Sequence, residues 1–84
     1  MIDKVQKIPR VRHADDRGYL TEILRSDDPF FERFGQIYVS LLRKNVVKAW
    51  HAHQLQSDVF YVVLGTLKVG LWDGRLESPT HGQY

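Results

Sequence analysis

From Val5 to Val11 apolar and basic residues alternate loosely around Pro9, which predicts an edge strand that lacks one ladder donor at the proline. His13-Ala14-Asp15-Asp16-Arg17-Gly18 then reads as a turn, and Tyr19 to Leu24, β-branched and aromatic behind Gly18, as a second strand. Ser26-Asp27-Asp28-Pro29 sets capping residues before a proline, and Gly35 ends the run Phe30-Phe31-Glu32-Arg33-Phe34, so one or two helical turns fit there. Ile37, Val39 and Leu41 alternate with more polar neighbours between Gln36 and Leu42, a strand with one apolar face, and Arg43-Lys44-Asn45 turns the chain.

Val46 to His53 predicts a further strand, Gln54 to Ser57 a polar connection, and Asp58 to Leu64 a strand apolar on both faces. Gly65-Thr66 reverses into Leu67 to Trp72, Asp73-Gly74 closes that strand, and Arg75 to Tyr84 has the composition of a loop. Roughly five to seven short strands with close turn signals and one short helix point to an all-β sandwich, barrel or jelly roll of antiparallel strands.

Composition narrows the partners more than the fold. The 84 residues are 43% apolar, 26% charged and 12% aromatic, enough for a single domain over 1–84 with a thin core that a partner subunit would help. There is no cysteine, which removes disulfides and thiolate metal sites and points to a cytoplasmic protein. No apolar run suits a leader or a membrane span, so no membrane partner is expected. Net charge is +2, and Lys4, Lys7, Arg10 and Arg12 lack interleaved aromatics, which makes them a solvated strand face rather than a nucleic-acid contact.

Candidate chemistry centres on Lys48-Ala49-Trp50-His51-Ala52-His53, with Asp58 following. His51 and His53 share a strand face, about 6–7 Å apart by strand rise. Across a hairpin with Asp58 they are two imidazoles and a carboxylate, a donor set suited to a divalent metal ion with open positions for substrate. The alternative needs no cofactor. Either histidine can serve as general base when a carboxylate or carbonyl orients its other nitrogen, with Lys48, Arg17 or Lys68 neutralising negative charge on the ligand. Ser40, Ser57 and Ser78 lack the surroundings of an activated nucleophile.

The spacing from Asn45 through His51-Ala52-His53 and Asp58 to Gly65 resembles the first signature of the cupin superfamily, with Asn45 and Asp58 where a glycine and a glutamate are usual. More specifically the chain resembles the dTDP-4-dehydrorhamnose 3,5-epimerase family. Asp16-Arg17-Gly18 with Glu22, then Gln36 and Ser40, then Val47 to His51, and finally Gly65 followed by Asp73, Arg75, Ser78, Pro79 and Thr80 match that family's motifs in order, over roughly residues 15 to 83.

The resemblance implies a cupin-like jelly-roll barrel or half-barrel and an isomerase acting on a nucleotide-linked 4-keto-6-deoxy sugar for surface-polysaccharide biosynthesis, without a cofactor. It places His51 where the family keeps its proton-abstracting base. Arg17, Glu22 and Gln36 fall where the family contacts the nucleotide, and Lys48 where it has an arginine for the diphosphate. Asp58 stands where the family has a lysine, His53 where it has a glutamine, and Tyr38 where it has an asparagine. The likeness covers only the N-terminal half of the family pattern, whose tyrosine acid and the histidine's carboxylate partner lie in the second half. A chain so shortened has open sheet edges, which a homodimer would cover. The runner-up implication is a small metal-binding or non-catalytic cupin that binds a sugar or another polar ligand.

Overall fold

A computed structural model describes residues 1–84. Its regular structure is one antiparallel hairpin, β1 (Arg12–Asp15) and β2 (Gly18–Thr21), paired Arg12 to Thr21, His13 to Leu20, Ala14 to Tyr19 and Asp15 to Gly18. Only Asp16 and Arg17 lie outside the pairing, so the turn is tighter than the expected stretch from His13 to Gly18, and four of that stretch's residues belong to strands. Two local features explain this. The Asp15 carboxylate accepts the Arg17 amide at 2.8 Å, a side-chain mimic of a backbone turn, and Gly18 leaves the turn at a φ of 135°. Arg12 then reaches diagonally over the Tyr19 ring at 3.9 Å, adding a cation–π contact across the strand pair.

The strand expected over 5–11 forms no ladder. Val5 donates instead to Ile2 O at 3.2 Å in a turn with Lys4 at positive φ, while the Arg10 guanidinium donates to Ile23 O at 3.0 Å. A side chain thus does what the backbone around Pro9 is poorly equipped to do. The second strand stops at Thr21 rather than Leu24.

The helix expected around Phe30 to Phe34 is absent. Two successive turns stand in its place, Asp28 N to Arg25 O and Phe31 N to Asp28 O, while Asp28 accepts the Arg25 amide at 2.6 Å. The aspartate caps backward onto residue 25, and no i to i−4 bond follows it to propagate a helix. The segments 36–42, 46–53, 58–64 and 67–72 lie outside any ladder, but turns or bends fall at 44–45, 54–55 and 64–65, where glycine, asparagine and polar residues were expected to place them. Asn45 at φ 63° and Gly65 at φ 88° supply the left-handed backbone two of these reversals use.

The chain divides into two compact units, one of Met1–Ile23 with Tyr61–Tyr84 and the other of Leu24–Phe60. The first contains the hairpin and a closed loop. At its neck Asp73 N donates to Gln83 O at 2.9 Å and Gly82 N to Asp73 O at 2.7 Å, with Gly82 at φ 82°. Inside it Asp73, 3% exposed, is the one buried residue of the chain. No apolar side chain is buried, and Val39, Leu55 and Leu64 are almost fully exposed.

Candidate functional site

The second unit holds the histidine segment. A bend at residues 54–55 folds the chain back so that His53 Nε2 lies 3.3 Å from Asp58 Oδ2, and Gln56 donates to the other carboxylate oxygen at 3.3 Å. Both partners are partly open to solvent, with side-chain exposures of 40% and 36%. His51, two residues earlier, is exposed and does not join them in a cluster of three His, Asp or Glu groups that could hold a metal ion. The donor set of His51, His53 and Asp58 is therefore assembled only as its His53 and Asp58 half.

Lys48, in the same unit, is anchored by its ammonium, which donates to Ser40 Oγ at 3.0 Å and to Leu41 O at 2.9 Å. An ammonium has three donors, so one remains for an anionic ligand. Ser40, singled out in sequence as part of the Gln36 segment, thereby positions the cation. Gln36 itself is exposed.

Arg17 and Glu22 belong to the first unit. Arg17 leaves the hairpin turn with its guanidinium on Asp15, Nη2 to Oδ2 at 2.6 Å and Nε to the same oxygen at 3.2 Å. This side-chain pairing, helped by the Arg17 amide, holds the Asp15 carboxyl below its ordinary value and raises the guanidinium's. An open hollow of about 260 Å³ sits beside it, lined by His13, Asp15, Arg17, Gly18, Tyr19 and Leu20. A ligand anion that used Arg17 there would share it with Asp15. Glu22 lies one residue beyond the end of β2.

A second polar centre in the first unit falls where the sequence has a strand-closing Asp73-Gly74, a loop by composition, and the residues Asp73, Arg75, Ser78 and Thr80 of the family resemblance. Asp73 accepts from Arg75 Nε at 2.8 Å and Nη2 at 2.9 Å, from Ser78 Oγ at 2.6 Å and from Thr80 Oγ1 at 2.6 Å. These donors, Arg75 first, hold its carboxyl far below the ordinary carboxylate range. Arg75 Nη2 also donates to Asp3 O at 2.7 Å, and Asp3 N to Thr80 Oγ1 at 2.9 Å, which ties the N-terminal segment to the loop. The Asp73 carboxylate is satisfied within the cluster, which makes it a clasp between the loop and the N-terminal segment. The signal for it was Asp73, Arg75, Ser78 and Thr80 spaced so that one carboxylate can meet three donors.

The chain is similar to proteins named for polysaccharide and glycan biosynthesis. It is 39% identical over 83 residues to the spore coat polysaccharide biosynthesis protein SpsL of Bacillus subtilis, covering 99% of this chain and 55% of SpsL. It is 41% identical over 73 residues to Agl13 of Haloferax volcanii, named as a probable low-salt glycan biosynthesis epimerase, covering 84% of this chain and 47% of Agl13. No family model matches the chain, and no solved structure does. The chain spans about half the length of the curated relatives it matches.

Proposed function

We propose that this chain is part of a sugar-nucleotide epimerase or isomerase of the dTDP-4-dehydrorhamnose 3,5-epimerase type, working in surface-polysaccharide biosynthesis on a nucleotide-linked 4-keto-6-deoxy sugar. The observation that carries the reading is 41% identity, over 84% of the chain, to a protein named as a glycan biosynthesis epimerase. The ordered motifs from Asp16-Arg17-Gly18 to Ser78-Pro79-Thr80 support the same class.

In this reading the ketone acidifies the hydrogens on the adjacent ring carbons, and His51 removes one as general base. The C–H electron pair moves into an enolate, which a cation stabilises most where water is excluded. Lys48, held by Ser40 and Leu41 O, supplies a positioned positive charge with a free donor for the diphosphate, and Arg17, Glu22 and Gln36 contact the nucleotide. The fold proposed for the chain is a cupin-like jelly roll, whose strand reversals fit the turns and bends at 16–17, 44–45, 54–55 and 64–65. A second copy of the chain covers the exposed apolar residues, giving a homodimer. No helix is long and apolar enough to cross a membrane, and the substrate class points to the cytoplasm.

The test is incubation of the full-length protein with dTDP-4-keto-6-deoxyglucose in deuterated water. Deuterium should enter the ring carbons flanking the ketone, and a folded sample that leaves them fully protonated would sink the reading.

A further inference from the structure

The geometry points to His53 and Asp58 as a proton-transfer pair, in which Asp58 is a positioning residue that orients the His53 imidazole through Nε2 and leaves Nδ1 as the atom that exchanges a proton with substrate. The inference rests on the epimerase or isomerase reading, and adds to it a second proton-handling imidazole beside His51.

Three observations carry it. The 3.3 Å approach involves Nε2 alone, so a carboxylate oxygen faces the nitrogen that must carry hydrogen if Nδ1 is to hold a lone pair. Gln56 donates to the other carboxylate oxygen at 3.3 Å, which favours the orientation that faces His53. At 40% exposure the His53 side chain remains open to a ligand, which a purely structural buried histidine would not be.

The step balances without a further reactant. The Nδ1 lone pair takes a hydrogen as H⁺ from the carbon beside the ketone, the C–H pair becomes the enolate π bond, and the ketone oxygen takes the negative charge. Return of that proton from Nδ1, or from water after exchange, restores the ketone. Asp58 keeps its own charge throughout and stabilises the imidazolium formed between the two halves of the step.

Deuterium incorporation into dTDP-4-keto-6-deoxyglucose by the full-length protein tests the pair directly. His53→Ala should lower kcat about 10²-fold or more, the scale of a lost acid–base group. Asp58→Asn should lower kcat at least about ten-fold with KM nearly unchanged, and Asp58→Glu should recover much of the loss, because only the orienting carboxylate is restored. Wild-type rates in His53→Ala or Asp58→Asn would overturn the proposal.

A second readout does not depend on turnover. In imidazole ¹H–¹⁵N spectra, Asp58→Asn should shift the His53 nitrogen signals and leave those of His51 in place. Unmoved His53 signals would overturn the pairing itself. If those signals move but the wild-type protein exchanges no deuterium, the epimerase reading fails and takes the catalytic role of the pair with it, while the contact stands.

Discussion

Asp73 shows what a single residue can organise in a chain with little buried surface. Its carboxylate gathers Arg75, Ser78 and Thr80, and through Thr80 and Arg75 it holds both the amide and the carbonyl of Asp3. Thr80→Ala removes one donor to the carboxylate and one acceptor for a backbone amide. It should destabilise the first unit by roughly 1.5–3 kcal/mol, the range for hydrogen bonds to a charged group, as measured by denaturant unfolding. Acid should act on the same centre in a defined direction. The carboxyl is lowered by Arg75 foremost, so the folded chain binds fewer protons there than the unfolded one, and the stabilisation is complete above the ordinary value of 3.8. It is lost progressively only as pH falls below that value toward the folded one. Amide protection at Ser78 and Gly82 should therefore hold from pH 7 down to about pH 4 and fade below it; fading between pH 6 and 5 would contradict this assignment. At the proposed base, His51→Ala should reduce deuterium incorporation about 10²–10⁴-fold, and unchanged incorporation would remove His51 from the mechanism.

At the scale of elements, the reversals were legible and the partners of the strands were not. Gly18, Asn45 and Gly65 announce backbone that ordinary residues avoid, and all three adopt positive φ. Alternation such as Ile37, Val39 and Leu41 says which side chains share a face, but a strand's neighbour is set by groups far away in sequence, and nothing local to 36–42 specifies it. The His53 and Asp58 contact could be anticipated because only a short polar connection separates the two residues. For the Asp73 clasp the residues could be singled out by their spacing but their contacts could not, since the composition is that of any loop and the tie to Asp3 spans more than 70 residues. The absent helix has a similar cause: Asp28 was available as a cap, but it bonds residue 25 behind it.

Glycine replacements should separate two kinds of constraint. Nothing lies within 4 Å of a Cβ built on Gly18, yet its φ is 135°, so Gly18→Ala should cost about 1–3 kcal/mol through backbone strain and weaken the His13 to Leu20 cross-strand NOEs. A Cβ on Gly74 would meet the Trp72 ring at 2.6 Å, so Gly74→Ala should instead displace that ring and change its fluorescence. Asn45 at φ 63° should accept glycine without loss but lose roughly 1–2 kcal/mol on replacement by valine.

For the whole molecule the dominant number is area. The chain exposes 8825 Å², whereas a folded monomer of 9.9 kDa is expected to expose about 5,200 Å². The difference of roughly 3,600 Å² per chain exceeds what one partner contributes to a standard interface, about 800 Å². The homodimer reading predicts twice the monomer mass in sedimentation equilibrium at micromolar concentration, and a monomer there would refute it.

The clasp also sets an order of events during synthesis. The Asp3 amide has no partner until Thr80 has been made, 77 residues later. At a translation rate of about 5–20 residues per second the N-terminal segment waits roughly 4–15 s on the ribosome before it can dock, and longer if residue 80 must first clear the exit tunnel. For that interval the segment from Met1 to Val5 is not held by the clasp. Anything that slows elongation before Asp73 lengthens the interval.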